Sequence, residues 1–283
     1  MAQEKIAVVT GSSSGIGLVT CVELALNGYR VVATMRDLAR RTKLDEATKA
    51  ANVSDRIDVR CLDIAKTDSV PPAIDAIIRD YGRIDVLVNN AGFAMAGFAE
   101  DIVLAELRDQ FETNFFGHVA VTKAVLPTMR AQKSGHIIMV TSIGGRTAQP
   151  TLSSYASSKF ALEGWSESLR MELRSVGIRV VLIEPGAYET DIWTRNAKIG
   201  QRMFDGSSPN AERGRRFRDW VQSGGIKKRD AHEVSRLIAR VAEDPNPKLR
   251  YLAGTDARLQ LLFKTVMPWR WYEKLVTKAM KID

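Results

Sequence analysis

The stretch Lys5-Ile6-Ala7-Val8-Val9-Thr10-Gly11-Ser12-Ser13-Ser14-Gly15-Ile16-Gly17 decides the fold of this chain of 283 residues. Its first six residues predict a short buried strand, and a helical pattern continues from the glycines to Leu26. A strand, a glycine-rich turn and a helix in direct succession begin a nucleotide-binding βα unit. Backbone N–H groups of the turn and of the helix N-terminus would face a diphosphate, so we expect contacts from Gly11, Ser12, Ser13, Ser14, Gly15, Ile16 and Gly17. The spacing differs from the commoner dinucleotide fingerprint, and a plain turn is the alternative.

The alternation of strands and helices continues along the chain. Apolar runs predict further strands at Tyr29–Thr34, Ile57–Leu62, Ile84–Val88, Gly135–Ser142, Arg179–Glu184 and Leu249–Leu252. Helical patterns lie at about Asp68–Asp80 and over a long tract from about Ala99 to Arg130. Such alternation builds a parallel sheet with helices on both faces. We therefore predict an α/β fold of the Rossmann type, with a doubly wound, seven-stranded parallel sheet in a single domain over residues 1–283 and its core at 4–195.

The end of the second strand is the place where such a sheet distinguishes two adenosine cofactors. An acid there binds the ribose 2′-hydroxyl, whereas a nearby arginine accommodates a 2′-phosphate. The sequence has Met35 directly after the strand, then Arg36 and Asp37. We expect Arg36 to pair with the phosphate and Asp37 to begin the next helix, so NADP(H) is the expected cofactor, with NAD(H) possible. In the alternative, Asp37 binds the ribose and Arg36 is a surface cation.

Other candidate ligands follow the carboxyl ends of the later strands, where a doubly wound sheet binds its ligands. Asp63, followed by Ile64, would accept a hydrogen bond from the adenine amino group or would cap the next helix. The strand at Gly135–Ser142 brings Ser142 to the same edge. Small and amide side chains follow the fourth strand, where the backbone must approach a ligand or turn sharply, at Asn90, Ala91 and Gly92.

Tyr155 and Lys159 stand four residues apart in a segment with helical periodicity, so both side chains lie on one helix face. A phenol with a pKa of roughly 10 is a poor base at neutral pH, but a neighbouring ammonium favours the phenolate and lowers that pKa. Tyr155 could therefore exchange a proton with an alcohol or a carbonyl oxygen. An isolated pair with this spacing is more often an ordinary surface pair.

Taken together, these motifs resemble the ordered motif set of the short-chain dehydrogenase/reductase family, over roughly residues 4–195. The matching residues are Thr10-Gly11-x-x-x-Gly15-x-Gly17, Asn89-Asn90-Ala91-Gly92, Asn114, Ser142, Tyr155-x-x-x-Lys159 and Pro185-Gly186. The resemblance implies an oxidoreductase that depends on a nicotinamide cofactor. Thr34-Met35-Arg36-Asp37 also resembles the NADP-preferring hydroxysteroid and retinol branch of the family.

The resemblance also implies roles for a catalytic tetrad of Asn114, Ser142, Tyr155 and Lys159. Ser142 would donate to the substrate oxygen, Tyr155 would transfer the proton, and Lys159 would steer Tyr155 and bind the nicotinamide ribose. Asn114 would hold a water that extends the proton relay. In the family, Pro185-Gly186 turns over the nicotinamide and a threonine like Thr190 holds its carboxamide, although the intervening Ala187-Tyr188-Glu189 departs from the usual sequence.

Residues 191–225 form the segment in which such proteins vary, and we expect them to be a substrate lid. The segment contains five bulky apolar residues: Trp193, Met203, Phe204, Phe217 and Trp220. Together with Phe93 and Met95, which lie nearer the core, they predict an apolar pocket for a lipophilic alcohol or ketone. Routine packing between a lid helix and the core is an equally good interpretation. A polar substrate would argue against the pocket.

The extension at about 255–283 alternates apolar residues with Arg and Lys and includes Pro268-Trp269-Arg270-Trp271-Tyr272. We expect a basic amphipathic helix that packs on its own domain or on a second subunit, and contact with a membrane is the less favoured alternative. Members of the family usually assemble through the helix that carries Tyr155, so we expect a homodimer or a homotetramer.

Composition limits the remaining interpretations. Two cysteines, Cys21 and Cys61, lie in apolar segments where buried thiols are expected, and they are too few for a disulfide framework, which fits a reducing cytoplasm. No leader or spanning segment is evident, so we expect a soluble protein. The chain has a formal net charge of +8, and residues 195–283 hold 20 Lys and Arg against 10 Asp and Glu. Such a basic region could meet nucleic acid or acidic lipid. Its cations alternate with acids and apolar residues, however, which favours a solvated helical face over both.

The histidines and the remaining function classes add little. No metal site is predicted, because the three histidines have no cysteine or cluster of carboxylates near them in the sequence: His118, His136 and His232. For the oxidoreductase that the motifs imply, we expect a small-molecule substrate. A catalytically idle nucleotide sensor and a nucleotide-sugar epimerase or dehydratase are the alternative functions.

Overall fold

A computed structural model of the chain describes residues 4–193, 196–205, 208–222 and 228–282. Within these residues the strands are β1 Ile6–Thr10, β2 Arg30–Met35, β3 Ile57–Cys61, β4 Val86–Asn89, β5 Ala94–Ala96, β6 Gly135–Val140, β7 Ile178–Pro185, β8 Ala197–Ile199 and β9 Arg250–Ala253. Seven of them form one parallel sheet in the order β3-β2-β1-β4-β6-β7-β9, and β5 pairs with β8 in a small second sheet. The predicted doubly wound, seven-stranded parallel sheet is confirmed.

The helices of the described residues connect these strands. They are α1 Gly15–Leu26, α2 Thr42–Ala50, α3 Val70–Tyr81, α4 Leu104–Phe111, α5 Gly117–Gln132, α6 Ser153–Leu173, α7 Ala211–Gln222, α8 His232–Glu243, α9 Thr255–Val266 and α10 Trp269–Ala279. The strand order reverses next to β1, because the chain moves to β2 and β3 on one side and to β4 on the other. This reversal opens a crevice at the carboxyl ends of β1 and β4.

Two apolar layers cover the two faces of the sheet. One layer packs α1 and α8 against alternate residues of β1, β2 and β7, with Val9, Ala33 and Val181 in its interior. The other packs α3, α5 and α6 against the opposite residues, such as Val8 and Leu182. Successive residues of a strand point to opposite faces, so a strand covered on both faces must be apolar throughout. The continuous apolar run Ile6–Val9 meets this requirement.

The long helical tract expected at Ala99–Arg130 is divided. It begins at Leu104, where the Glu106 carboxylate accepts a hydrogen bond from the Val103 N–H at 3.0 Å. A π-helical segment over Glu112–Phe116 then separates α4 from α5. A π-helical turn holds one more residue than an α-helical turn, so it rotates the side chains that follow it relative to those before it.

The C-terminal extension, expected as one helix, consists of α9 and α10. The break falls at Met267-Pro268, where proline lacks the N–H that a continuous helix would need. Proline is favoured at the start of a new helix, and α10 begins at the next residue.

The lid segment is only partly described, and the side chain of Trp193 lies outside the described residues. Met203 and Phe217 are buried in a separate apolar cluster with residues of the C-terminal extension, and Phe204 and Trp220 pack against that cluster. These four side chains do not line the main cleft of the described chain. These four residues therefore do not form the expected apolar pocket. They support the other interpretation, in which a lid helix packs on the body of the protein.

The two cysteines differ in environment. Cys21 is buried, whereas Cys61 is exposed, so the expectation of two buried thiols is wrong for Cys61. Its strand, β3, is the edge of the sheet, and only one flank of an edge strand is covered by a neighbour. No helix in the described part of the chain is long and apolar enough to cross a membrane.

Candidate active site

The glycine turn between β1 and α1 forms the floor of a cleft at the carboxyl edge of the sheet. Gly11 has φ +70°, and a Cβ there would lie 2.7 Å from the Cα of Ala91. Gly15 has φ +57° and opens α1. Both positions therefore require glycine, because a side chain would be strained by the backbone. At Gly11 it would also meet the turn after β4, whereas at Gly15 it would approach the Thr190 side chain at 3.2 Å.

The remaining residues of the turn fall into two groups. Ser13, Ser14 and Ile16 line the cleft with the two glycines. Ser12 is buried beneath the turn, where its hydroxyl donates to the Thr34 carbonyl oxygen at 2.8 Å. A Cβ at Gly17 would lie 2.3 Å from the Gly11 oxygen. Ser12 and Gly17, expected among the cofactor contacts, therefore lie outside the cleft lining and hold the turn in shape.

Asn90 ties the ends of β1 and β4 together beside the turn. Its side-chain N–H donates to the carbonyl oxygens of Thr10 and Gly11 at 2.9 and 3.2 Å, and its backbone N–H donates to the Thr10 hydroxyl at 3.0 Å. Ala91 and Gly92 follow it along the cleft. The carboxyl ends of the two central strands are thus held at a fixed separation.

One end of the cleft lies beyond β2 and β3. Arg36, Asp37 and Arg40 line it, together with Asp63 and Ile64 from the segment after β3. The Asp37 carboxylate accepts from the Ala39 N–H at 3.0 Å and caps a short 3-10 turn, as expected for a residue that begins the next helix. Asp63 likewise accepts from the Ala65 N–H at 3.2 Å while it lines the cleft, so both of its predicted roles remain open.

The other end of the cleft holds the predicted catalytic side chains. Ser142, Tyr155 and Lys159 all line it. The Ser142 hydroxyl accepts from the Gly144 N–H at 2.9 Å and is hydrogen bonded to Tyr155. The Lys159 ammonium donates to the Val140 carbonyl oxygen at 2.9 Å and lies 5.9 Å from the centre of the Tyr155 ring. The phenol, the hydroxyl and the ammonium are therefore gathered at one place.

Burial dominates the titration of this group. It raises the pKa of Tyr155 to about 12, and the hydrogen bond from Ser142 opposes the shift. It lowers the pKa of Lys159 to about 8, while the Glu163 carboxylate acts in the opposite direction. The expectation of a lowered phenol pKa is thus wrong, because removal of the phenolate from water outweighs the hydrogen bond from Ser142 that favours it.

Asn114, the fourth predicted catalytic residue, lies behind the cleft in the π-helical segment. Its side chain accepts from the Phe93 N–H at 3.2 Å and donates to the Phe93 carbonyl oxygen at 3.0 Å. It also donates to the Ser158 hydroxyl at 3.4 Å, and that hydroxyl donates to the Tyr155 carbonyl oxygen at 2.7 Å. Asn114 therefore connects β5 to the helix that carries Tyr155 and is outside the lining of the cleft.

The turn after β7 closes the same end of the cleft, through Pro185, Gly186 and Thr190. A Cβ at Gly186 would lie 2.2 Å from an oxygen of Asp256, whose carboxylate accepts from the Ala187 N–H at 2.7 Å. The first turn of α9 therefore supports this loop. Several further residues line the cleft but belong to no recognisable sequence motif and were not predicted: Arg40, Thr113, Thr141, Tyr188, Asp191, Ile192, Asn196 and Lys198.

Two buried ionisable groups were also missed in the sequence. Glu163, one turn beyond Lys159, pairs with Arg250 at 3.0 Å, and Glu184 of β7 pairs with Arg146 at 3.2 Å. An acid four residues after a lysine, as at Glu163, and an acid in a strand, as at Glu184, are both ordinary in a sequence. Only the tertiary fold shows that these two carboxylates are buried. His118 is buried against the Ala91 carbonyl oxygen, and burial lowers its pKa to about 3. No cluster of metal-ligating side chains occurs among the described residues.

The cleft fits an elongated dinucleotide by its shape and by its donors. At its centre, two glycines with positive φ let backbone N–H groups and the start of α1 approach a ligand. Arg36 and Arg40 supply cations at one end, and Ser142, Tyr155 and Lys159 supply polar groups at the other. A diphosphate between two sugars would meet complementary groups along the length of the cleft.

Comparison with known proteins gives one consistent family. The family model described as short chain dehydrogenase matches residues 5–199. The uncharacterized oxidoreductase YusZ of Bacillus subtilis (strain 168) is 42% identical over 278 residues, which are 98% of this chain and 99% of that protein. Retinol dehydrogenase 8 of Homo sapiens is 36% identical over 258 residues, which are 88% of this chain and 81% of that protein.

Solved structures agree. A crystal structure of a short-chain dehydrogenase from Streptomyces avermitilis has a TM-score of 0.82 and 30% identity, and the match covers 100% of this chain and 98% of that one. A metagenomic short-chain oxidoreductase in complex with NADP has a TM-score of 0.70 and 24% identity, with 89% of this chain and 98% of that chain covered. The latter likeness shows the fold alone.

Proposed function

This chain belongs to the short-chain dehydrogenase family of oxidoreductases, and on that premise we propose that it transfers hydride between NADP(H) and a secondary alcohol, ketone or aldehyde. One observation carries the proposal: Ser142, Tyr155 and Lys159 meet at the end of a cleft whose centre is built by the glycine turn. A nucleotide-binding protein without chemistry has no need of a phenol and an ammonium buried together beside such a turn.

The chain's residues perform the proton transfer in this proposal. In the reducing direction Ser142 donates to the substrate carbonyl oxygen and Tyr155 supplies the proton to it, while the bound cofactor supplies the hydride. Because the pKa of Tyr155 is raised, the phenol keeps its proton at neutral pH and is in the acid form that this direction requires. Lys159 stabilises the phenolate that remains, and its N–H groups also hold the nicotinamide ribose.

The preference for NADP(H) over NAD(H) rests on the charges at the far end of the cleft. Arg36 and Arg40 line it. The two acids at this end, Asp37 and Asp63, each already accept a hydrogen bond from a backbone N–H two residues further along the chain. A guanidinium pairs well with a 2′-phosphate dianion, because several N–H groups match several oxygens.

The proposed substrate has an apolar body. Phe93 and Ile192 line the cleft near the catalytic group, and Lys198 lies 4.5 Å from the centre of the Phe93 ring. The likeness to a retinol dehydrogenase supports a lipophilic alcohol or carbonyl compound. Because the bulky lid residues pack elsewhere, the proposal for an apolar substrate rests on these residues and on that relative.

The experiment is a panel of steroid, retinoid and small polar carbonyl compounds, assayed for oxidation of NADPH and of NADH. We expect turnover with a lipophilic member, and Tyr155→Phe is expected to lower kcat by a factor of about 100 to 10,000, the usual range for loss of a general acid. Binding of NADPH by a Tyr155→Phe variant should persist, which separates loss of chemistry from loss of the fold. Turnover that survives in Tyr155→Phe would contradict the proposal.

A further inference from the structure

The helices α9 and α10 are attached to the body of the protein by their inner residues. Ala257 of α9 and Tyr272 of α10 are buried, and so is Ile282 just beyond α10. The Arg213 side chain of α7 donates to the Ile282 carbonyl oxygen at 2.9 Å. Because both helices are anchored in this way, the direction of their outer faces is determined by the fold.

The outer face of α9 is apolar. Leu259, Leu262, Phe263 and Val266 recur at the spacing of one helix face, and each of them is exposed, Val266 at 63%. Soluble monomers rarely expose large contiguous apolar patches, and such patches mark sites of interaction. The inner residues named above already pack on the body, so the domain itself does not cover this face.

The outer face of α10 continues the pattern with aromatic and basic residues. Trp271, 67% exposed, lies on this face. Trp269, 61% exposed, stands at the start of the helix, where its ring packs against Tyr272 with 5.6 Å between ring centres. Lys274 and Lys278 follow Trp271 at three and seven residues, so they lie on the same side of the helix. Residues 255–282 contain six Lys and Arg against two Asp and Glu. Tryptophan beside cations is typical of a helix that lies in the head-group region of a bilayer.

We propose that these two outer faces, which we call the C-terminal surface, bind the surface of an anionic lipid bilayer. The surface consists of Leu259, Leu262, Phe263, Val266, Trp269, Trp271 and Leu275, with the cations Arg258, Arg270, Lys274 and Lys278. In the bound state the apolar side chains enter the head-group region, and the cations pair with lipid phosphates and carboxylates. This inference reverses the order of preference that the sequence supported.

Charge favours a bilayer over a second copy of the chain. A symmetric dimer brings the same patch of two subunits together. Through this surface it would place cations of one copy against cations of the other, at a cost in free energy. An anionic lipid surface instead carries charge opposite to every cation of the patch.

The C-terminal surface adjoins the cleft. Asp256, in the first turn of α9, supports the turn after β7 through the Ala187 N–H, and Lys264 donates to the Arg146 carbonyl oxygen in the segment that follows Ser142. A bilayer bound at this surface would therefore lie beside the opening that receives the substrate. The inference does not depend on the proposed chemistry, and its test measures binding alone.

The test is sedimentation of the full chain with sucrose-loaded vesicles. One set contains phosphatidylcholine with about a third phosphatidylserine, and the other contains phosphatidylcholine only. We expect binding to the anionic set and at least about tenfold weaker binding to the neutral set, since each cation near an anionic surface adds to the affinity. Raising the salt concentration should weaken binding to the anionic set.

Two double variants locate the binding face. Trp269→Ser with Trp271→Ser, and separately Lys274→Glu with Lys278→Glu, should each weaken sedimentation at least about tenfold. The matched control is Leu26→Ser with Leu104→Ser, which removes two exposed apolar residues from other faces and should bind as the parent does.

Three results would overturn the inference. The first is no sedimentation of the parent chain with anionic vesicles. The second is equal binding by the parent and both double variants. The third is a dimer in sedimentation velocity that Trp269→Ser with Trp271→Ser dissociates while vesicle binding is absent, which would assign the surface to a second copy.

Discussion

The Lys159 ammonium is held in a site that disfavours its charge. Burial lowers its pKa to about 8, and the carboxylate of Glu163, one helical turn further along α6, opposes that shift. Glu163 is itself buried and paired with Arg250 at 3.0 Å. The protonation of Lys159 near neutral pH therefore depends on a residue that does not line the cleft.

The first prediction concerns Glu163→Gln. Removal of the carboxylate charge should lower the pKa of Lys159 further, so the ammonium is lost at a lower pH. If Lys159 holds the nicotinamide ribose, the pH above which NADPH affinity declines should move down by about one unit. Fluorescence titration of NADPH between pH 6 and 9 measures this.

Glu167→Gln is the matched control for Glu163→Gln. Glu167 is on the same helix and pairs with the same Arg250 at 3.0 Å, but it is half exposed and lies one turn further from Lys159. Its replacement should leave the pH dependence of NADPH affinity unchanged. An equal shift in both variants would mean that Arg250, and not the Glu163 charge, governs Lys159.

The second prediction concerns the choice of cofactor. Arg36→Ala should raise the KM for NADPH by a factor of about 10 to 100, which corresponds to loss of a charge-assisted hydrogen bond, and should change the KM for NADH little. Arg41→Ala is the control, because Arg41 pairs with Asp45 at 2.7 Å and does not line the cleft. An equal rise in the KM for NADPH and for NADH would show that Arg36 does not bind the 2′-phosphate.

Residue patterns predicted which side chains share the cleft better than they predicted its electrostatics, and the catalytic roles of those side chains stay predictions. The Tyr155-x-x-x-Lys159 spacing and the strand before Ser142 correctly bring these side chains to one cleft. The direction of the Tyr155 pKa shift could not be read in the same way, because it depends on how much water the fold removes. Glu163 was missed for the same reason, since an acid four residues after a lysine is ordinary on any helix.

At the scale of elements, two side chains at the junction of α4 and the π-helical segment Glu112–Phe116 hold the chain at β5. Gln110 precedes the π-helical segment and Asn114 lies within it, and both side chains bind the backbone of β5 and the residue before it. Gln110 accepts from the Met95 N–H at 2.8 Å, and Asn114 accepts from the Phe93 N–H at 3.2 Å. Both donate to the Phe93 carbonyl oxygen.

Because Gln110 and Asn114 make similar hydrogen bonds, their alanine variants can be compared directly, which is the third prediction. Asn114→Ala and Gln110→Ala each leave one buried N–H without its partner, so each should lower the free energy of unfolding by about 2 to 4 kcal/mol. Only Asn114 reaches Ser158 and the helix that carries Tyr155. Asn114→Ala should therefore lower kcat more than Gln110→Ala does, at temperatures where both variants remain folded.

Urea unfolding and steady-state kinetics on the same preparations measure the two effects. A kcat for Asn114→Ala that equals that of Gln110→Ala would reduce Asn114 to a structural residue that holds β5.

Most elements were predictable because apolar periodicity reports them directly. The strands of the sheet start and end within about two residues of their predicted bounds, as for β9, predicted at Leu249–Leu252 and observed at Arg250–Ala253. The π-helical segment was not predictable, because one extra residue in a turn leaves the pattern of apolar residues nearly unchanged. The break at Pro268 could have been found from the proline alone.

At the scale of the whole molecule, a network of ion pairs joins two strands of the sheet, β7 and β9, to the helix α6 that packs on it. Arg250 of β9 contacts Glu163 of α6 at 3.0 Å and Glu184 of β7 at 3.2 Å, and Arg146 contacts Glu184 as well. Burial, followed by the charge of Glu163, raises the pKa of Glu184 to about 7, although both arginines oppose the shift. The network therefore changes its charge near neutral pH.

The fourth prediction follows from the sign of that shift. The folded chain keeps a proton on Glu184 between its unfolded pKa, about 4.5, and about 7, whereas the unfolded chain has lost it. Glu184 therefore contributes stability below pH 4.5, and this contribution is lost as the pH rises to 7, by up to about 3 kcal/mol. His118, whose pKa is lowered to about 3, acts in the opposite direction below pH 6.5.

The difference between the parent chain and Glu184→Gln isolates this contribution from that of His118. Between pH 5 and pH 8 the variant should gain stability relative to the parent, measured by urea unfolding at each pH. A difference that stays constant with pH would show that the arginines keep Glu184 ionised throughout.

The unequal thiols of this chain provide a reporter without mutagenesis. Burial raises the pKa of Cys21 to about 12, which protects it from alkylation, while Cys61 is exposed and its Sγ lies 3.6 Å from the Arg36 carbonyl oxygen. A maleimide dye should therefore label Cys61 alone, directly behind the arginine proposed to distinguish the two cofactors. Its emission would follow occupancy of that end of the cleft in real time, even in a variant that no longer turns over.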